Sequence, residues 1–243
     1  MIRLFAFLLF IPSLGLAQPV SRSSVRVAGA MRNVMWRGQL GGSIALDTLL
    51  RPHLYGLGPL EFLAGELLVA DGRAYVATVQ GDSMKVVESP TAKAPFFVYA
   101  QVAKWRAMPL PDSIATPKQL ERYLDLVTRQ EAQTEARQEA QLARPFAFRL
   151  VGKVAEATIH LVNLPSGASV SSPEQAHRGK RSYPLQAVDC ELIGFFSTTH
   201  QGVFTHHDTY LHIHLITADR TRMGHLDDVR FAPGTMTLYL PGE

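Results

Sequence analysis

One cysteine, Cys190, stands in 243 residues, so no disulfide can close within the chain. Stability has to come from a packed core, and from a metal if one binds. Cys190 lies in the apolar run AVDCELIGFF and reads as a buried structural thiol rather than a reactive one. An excess of one charge is missing too: 24 Lys and Arg face 21 Asp and Glu, a formal charge of +3. The basic residues are spread, apart from RGKR at 178–181, and aromatics do not interleave with them. Nothing therefore points to a nucleic-acid partner, and the RGKR cluster reads as a solvated turn. Beyond residue 17 no apolar run approaches the length of a membrane span. With 47% hydrophobic and 19% charged residues, the composition is that of a globular chain and excludes a disordered one.

The first residues, MIRLFAFLLFIPSLGLAQPV, combine Arg3, an apolar run from Leu4 to Leu16 and the small residues Gly15 and Ala17. This is the pattern of a secretory signal peptide over 1–17, cleaved before Gln18. The mature chain is expected to be exported, to a periplasm or the medium, with no membrane attachment after cleavage.

The rest reads as α+β: a mixed-sheet N-terminal part over 18–115, one long helix over 116–144, and a mainly antiparallel, barrel-like β part over 145–243. Residues 18–40 are hard to assign beyond one early strand near Ser24–Ala28. IALDTLLRP (44–52) has helical spacing ended by Pro52. Asp71-Gly72 between GELLVA and RAYVAT marks a hairpin, and PFFVYAQVAKW (95–105) a strand. Thr116 can cap the helix, with Pro117 at its first position and Leu120, Tyr123, Leu124 and Val127 as its buried stripe. Its second half, over 128–143, is nearly all polar and reads as a solvated helix or a partner-binding arm.

The chemistry concentrates in LHIHLITADRTRMGHLDD (211–228). On a strand, His212 and His214 share a face about 7 Å apart. TADRTRMG is turn-prone, so His225 returns beside them. Three imidazoles converging from one hairpin suit a metal with positions left open for water or substrate. H-x-H pairs also arise on strands without any metal, and the pattern alone leaves both readings standing. Glu66, a lone carboxylate in the apolar stretch LAGELLVA, reads either as an exposed strand position or as a site residue for proton transfer or for holding water.

Two motifs in order carry a resemblance to the acetolactate decarboxylase family. GLGPLEFLAGELLVADGRAY (56–75) is similar to that family's G-L-G-T-F-x-x-L-x-G-E-M/L-x-x-x-D-G-x-x-Y, and HIHLITADRTRMGH (212–225) resembles its H-L-H-F-x-x-x-x-R-x-x-G-G-H. FRLVGKVAEATIHLV and LIGFF resemble further strands, so the likeness runs roughly from 40 to 240. The resemblance implies Zn2+ held by His212, His214 and His225. It implies decarboxylation of 2-acetolactate to acetoin and CO2, Glu66 as a catalytic residue, and a homodimer. Three departures stand beside it. His160, eight residues after Gly152, occupies the position of a substrate-facing arginine; Arg149 is near but has the wrong strand parity unless a bulge intervenes. Pro59 replaces a threonine. The family's C-terminal tail carries a further glutamate, whereas this sequence ends at Glu243. Histidine is a poorer carboxylate fork than arginine. The departures keep two alternatives open: a zinc enzyme acting on another 2-hydroxy-3-oxo acid, or an exported metal-binding or interaction protein without turnover.

Overall fold

The computed structural model describes residues 24–130 and 144–242. The expected signal peptide and most of the expected polar half of the long helix lie outside the described residues. β-Strands dominate, in two principal sheets. The first has six strands: β1 (Arg26–Ala28), β3 (Leu54–Pro59), β4 (Glu66–Ala70), β5 (Arg73–Gln80), β6 (Ser83–Glu88) and β8 (Phe97–Gln101), in the order β1-β8-β3-β4-β5-β6. Every pair in it is antiparallel, which corrects the expected mixed sheet. Short connections favour this: Asp71-Gly72 joins β4 to β5 with both residues at positive φ, the hairpin conformation that Asp-Gly favours.

The second sheet contains β9 (Trp105–Pro109), β10 (Phe146–Leu161), β11 (Arg181–Phe196), β12 (Leu211–Thr217) and β13 (Met223–Pro241). β10 pairs with both β11 and β13, and β12 also pairs with both. The four strands thus close on themselves, the barrel-like part that strand periodicity predicts. β13 is one 19-residue strand, pairing with β10, β12 and β9. β9 precedes the helix in sequence but joins this second sheet, so sheet membership crosses the 115/116 boundary.

One helical expectation changes, and one helix forms where none was assigned. Residues 44–52 form no α-helix: β2 (Ile44–Ala45) pairs with β7 (Lys93–Ala94), and Leu46–Thr48 make one 3-10 turn. The apolar spacing there arises because Ile44, Leu46, Leu49 and Leu50 pack under the first sheet's outer face, not because a helix buries one stripe. Met31–Arg37, in a stretch hard to assign from sequence, is helix α1, ended by Gly38 in the left-handed conformation. The long helix α2 (Pro117–Gln130) begins as expected. Thr116 Oγ1 accepts from Gln119 N–H, and Gln119 Oε1 accepts from Thr116 N–H, a reciprocal cap. Leu120 and Leu124 are buried on its inner side.

The two sheets face each other. Tyr55, Leu57, Leu68, Ala70, Tyr75 and Val98 of the first share one apolar cluster with barrel residues such as Phe148, Leu192, Ile213 and Leu215. Strand alternation therefore turns Glu66 toward the barrel with Leu68 and Ala70. Along β10 the main apolar cluster takes the larger side chains Phe146, Phe148, Leu150 and Val154, with Ala147 beside them, then Ala157, Ile159 and Leu161. The parity changes between Val154 and Ala157, where the register with β13 is irregular. This bulge puts His160 on the same face as Arg149.

Candidate metal centre

All seven residues of β12 are buried, because both of its faces are covered. Leu211, Ile213 and Leu215 join the main apolar cluster. His212 and His214 point the other way, His212 toward Phe96 (ring centroids 6.2 Å apart) and His214 toward Glu66. The chain then reverses in a tight turn. Asp219 Oδ1 accepts from Thr217 Oγ1 at 2.6 Å, Thr221 N–H at 3.1 Å and Thr221 Oγ1 at 2.9 Å, and Arg220 takes positive φ. His225 returns directly opposite His214 on β12 and opposite His160 on β10. Gly224 makes this approach possible: a Cβ there would lie 2.6 Å from the His160 carbonyl oxygen.

The rings of His212, His214 and His225 stand 5.0–5.5 Å apart. One ring nitrogen from each lies within 4.8 Å of the others. His212 Nδ1 and both nitrogens of His214 are buried without a hydrogen bond, an arrangement that costs free energy unless something else satisfies them. Burial pushes the pKa of all three down, His214 to about 3, so the rings are neutral with lone pairs available. Neutral, converging, unsatisfied imidazoles fit a borderline-soft divalent cation such as zinc.

Glu66 is buried, not exposed. Its Oε2 lies 3.6 Å from His214 Nε2, and its Oε1 accepts from Val162 N–H at 3.4 Å. Burial raises its pKa well above the ordinary carboxylate value. Phe62 and Leu63 at positive φ form the tight turn leading into β4. Pro59 pairs opposite Glu66 across β3 and β4, so no side-chain hydroxyl is offered at that position. His160 is buried with its ring centroid 4.7 Å from that of His225. The five expected site residues are thus brought together. Arg149 is not among them: it sits eleven positions before His160 on β10, bonds Glu191 at 2.8 Å, and lies over the rings of Tyr55, Trp105 and Tyr239.

Three neighbours were not read from the sequence. His160 Nδ1 lies 2.7 Å from Asp227 Oδ1, and Lys180 Nζ lies 3.1 Å from Asp227 Oδ2. RGKR is therefore not simply a solvated turn. The signal for Asp227 was present, since it falls two residues after His225 and shares its strand face. His206, with its ring 5.3 Å from that of His225, sits in an irregular loop, where periodicity gives no guide. β12 and β13 pair at only three positions, 214–216 against 225–223. Beyond them a cleft of about 490 Å³ opens, lined by Glu121, His206, Asp208, His225 and Asp227 among others. It gives a small molecule a way to His225.

A family model described as alpha-acetolactate decarboxylase matches residues 29–240. A curated alpha-acetolactate decarboxylase from Streptococcus thermophilus is 42% identical over 60 residues, 24% of this chain. That match spans 25% of the relative's length. Among solved structures, acetolactate decarboxylase from Bacillus subtilis subspecies spizizenii is similar at a TM-score of 0.72 and 17% identity, covering 91% of this chain and 87% of that one. A Staphylococcus aureus protein of unknown function, similar to alpha-acetolactate decarboxylase, has a TM-score of 0.71 at 18% identity, covering 89% and 84%. At these identities the likeness to the solved structures is one of fold.

Proposed function

The chain belongs to the alpha-acetolactate decarboxylase family of carboxy-lyases, and from that premise we propose that it converts 2-acetolactate to acetoin and CO2 with zinc held by His212, His214 and His225. The observation that carries this reading is the set of three converging, neutral imidazoles, two of them buried with unsatisfied nitrogens, beside a buried carboxyl group. A bound divalent cation supplies Lewis acidity toward the adjacent hydroxyl and carbonyl oxygens of such a substrate. The remaining work falls to the chain. The cleft between β12 and β13 admits a small 2-hydroxy-3-oxo acid, and the apolar packing of the two sheets excludes bulk water behind it. When the bond to the carboxylate breaks, its electron pair passes toward the ketone oxygen and CO2 leaves. Glu66, whose carboxyl burial biases toward the protonated form, delivers a proton to the carbon that lost CO2 and recovers one from solvent. One proton consumed per CO2 released balances the reaction.

A second reading within the same chemistry, another 2-hydroxy-3-oxo acid as substrate, is favoured by His160 in place of an arginine and by Pro59 beside Glu66. Purified, zinc-loaded protein incubated with each acid separates the two. Acetoin well above the spontaneous rate supports acetolactate; zinc at one per chain with no acetoin rules that substrate out. We also propose export after cleavage before Gln18, checked by N-terminal sequencing of the mature protein, and assembly as a homodimer, checked by its mass in solution.

A further inference from the structure

His160 is held from three directions. β10 carries it, β13 supplies Asp227, and the segment leading into β11 supplies Lys180. A carboxylate accepts hydrogen bonds and cannot donate them, so the 2.7 Å contact to Asp227 Oδ1 places the proton of a neutral ring on Nδ1. Lys180 Nζ reaches both Asp227 oxygens, at 3.2 Å and 3.1 Å, and fixes the carboxylate's angle. Nε2 of His160 is then left as a bare lone pair on a ring standing beside His225 at the metal centre. Ligand atoms of His160, His225 and Asp227 also lie within 4.8 Å of one another. A second cation there would meet the Lys180 ammonium at Asp227 and break the His160 hydrogen bond, so the cluster suits an oriented acceptor better than a second metal.

We propose that His160, oriented by Asp227 and Lys180, accepts a hydrogen bond from the 2-hydroxyl of the substrate, making Asp227 and Lys180 positioning residues of the site. The inference rests on the decarboxylase reading above for its substrate. A buried acceptor of this kind selects acids that carry the hydroxyl over analogues that lack it, because an unmatched polar group in a closed site is costly.

The test combines two measurements. Long-range nitrogen–proton NMR spectra of metal-free protein, with His160 assigned through a His160→Gln variant, should show the Nδ1–H tautomer. In Asp227→Asn the side-chain amide can donate into Nδ1 and invert the tautomer; zinc content should stay at wild-type level while kcat falls about 100-fold, and Asp227→Glu should recover part of the loss. Lys180→Met should give mixed tautomers and a several-fold lower kcat, and it carries the test if Asp227→Asn does not fold. Wild-type tautomer and kcat in these variants overturn the proposal, as does loss of zinc from Asp227→Asn. If the wild type yields no acetoin but shows the tautomer and its inversion, the decarboxylase reading fails while the His160–Asp227 arrangement stands.

Discussion

At the scale of single residues, the site is built from groups that folding alone would not favour. His214 is completely buried with neither nitrogen hydrogen-bonded. Desolvation lowers its pKa to about 3, from an ordinary value of 6.5. The folded metal-free chain therefore excludes a proton that the unfolded chain binds below about pH 6.5. Stability from this group is complete above that value and is lost as the pH falls from there toward 3. His214 alone should cost about 2 kcal/mol between pH 7 and 5, and His212 and His225 shift in the same direction. Urea melts of the zinc-free protein at these two pH values check this; equal midpoints would show that the rings are not buried neutral. Glu66 separates structure from chemistry. Glu66→Gln keeps the shape and the contact with Val162 N–H but removes the acid, so zinc content should hold while kcat drops about 100-fold or more. Loss of zinc instead would make Glu66 part of the metal's shell.

At the scale of elements, the centre depends on how closely three strands approach. A methyl group at Gly224 would meet the backbone carbonyl of His160, and backbone cannot swing aside as a flexible side chain can. Gly224→Ala should separate β13 from β10, weaken zinc binding at least about tenfold and cost about 1–3 kcal/mol. Competition with a chromophoric chelator measures the first effect, and unchanged affinity would show that the strands can yield. Much of this was legible in the sequence, because period-two alternation and a turn of fixed length determine where His212, His214 and His225 point. The hairpin at Asp71-Gly72 and the cap at Thr116 were legible for the same reason: each is a local rule. Residues 44–52 misled because apolar spacing does not reveal what it packs against. Lys180 and His206 were missed because their places depend on Asp227 and His225, residues distant in the chain or joined to them through irregular loops. The irregularity that brings His160 to the face shared with Arg149 lies in the register between β10 and β13, which no local pattern records.

At the scale of the whole molecule, the first sheet and the barrel are clasped by Arg149. Its guanidinium pairs with Glu191 and lies 5.2–5.5 Å from the centroids of Tyr55, Trp105 and Tyr239. Arg149→Ala should remove about 2–3 kcal/mol of stability, read from denaturant midpoints, and leave zinc stoichiometry unchanged; a fall in zinc would place Arg149 in the site after all. The residue that the sequence offers as a spare substrate clamp is thus committed to joining the two sheets. Closure of the barrel has a consequence for biosynthesis. His212 and His214 leave the ribosome before His225, and β13 must pair with both β10 and β12 before the third imidazole arrives. A nascent chain that stops short of residue 225 can offer the ion only two of these ligands. Binding of a metal by all three would therefore mark a chain that has passed residue 225 and docked the start of its last strand, and a metal-retention assay on stalled chains of increasing length would read out that moment.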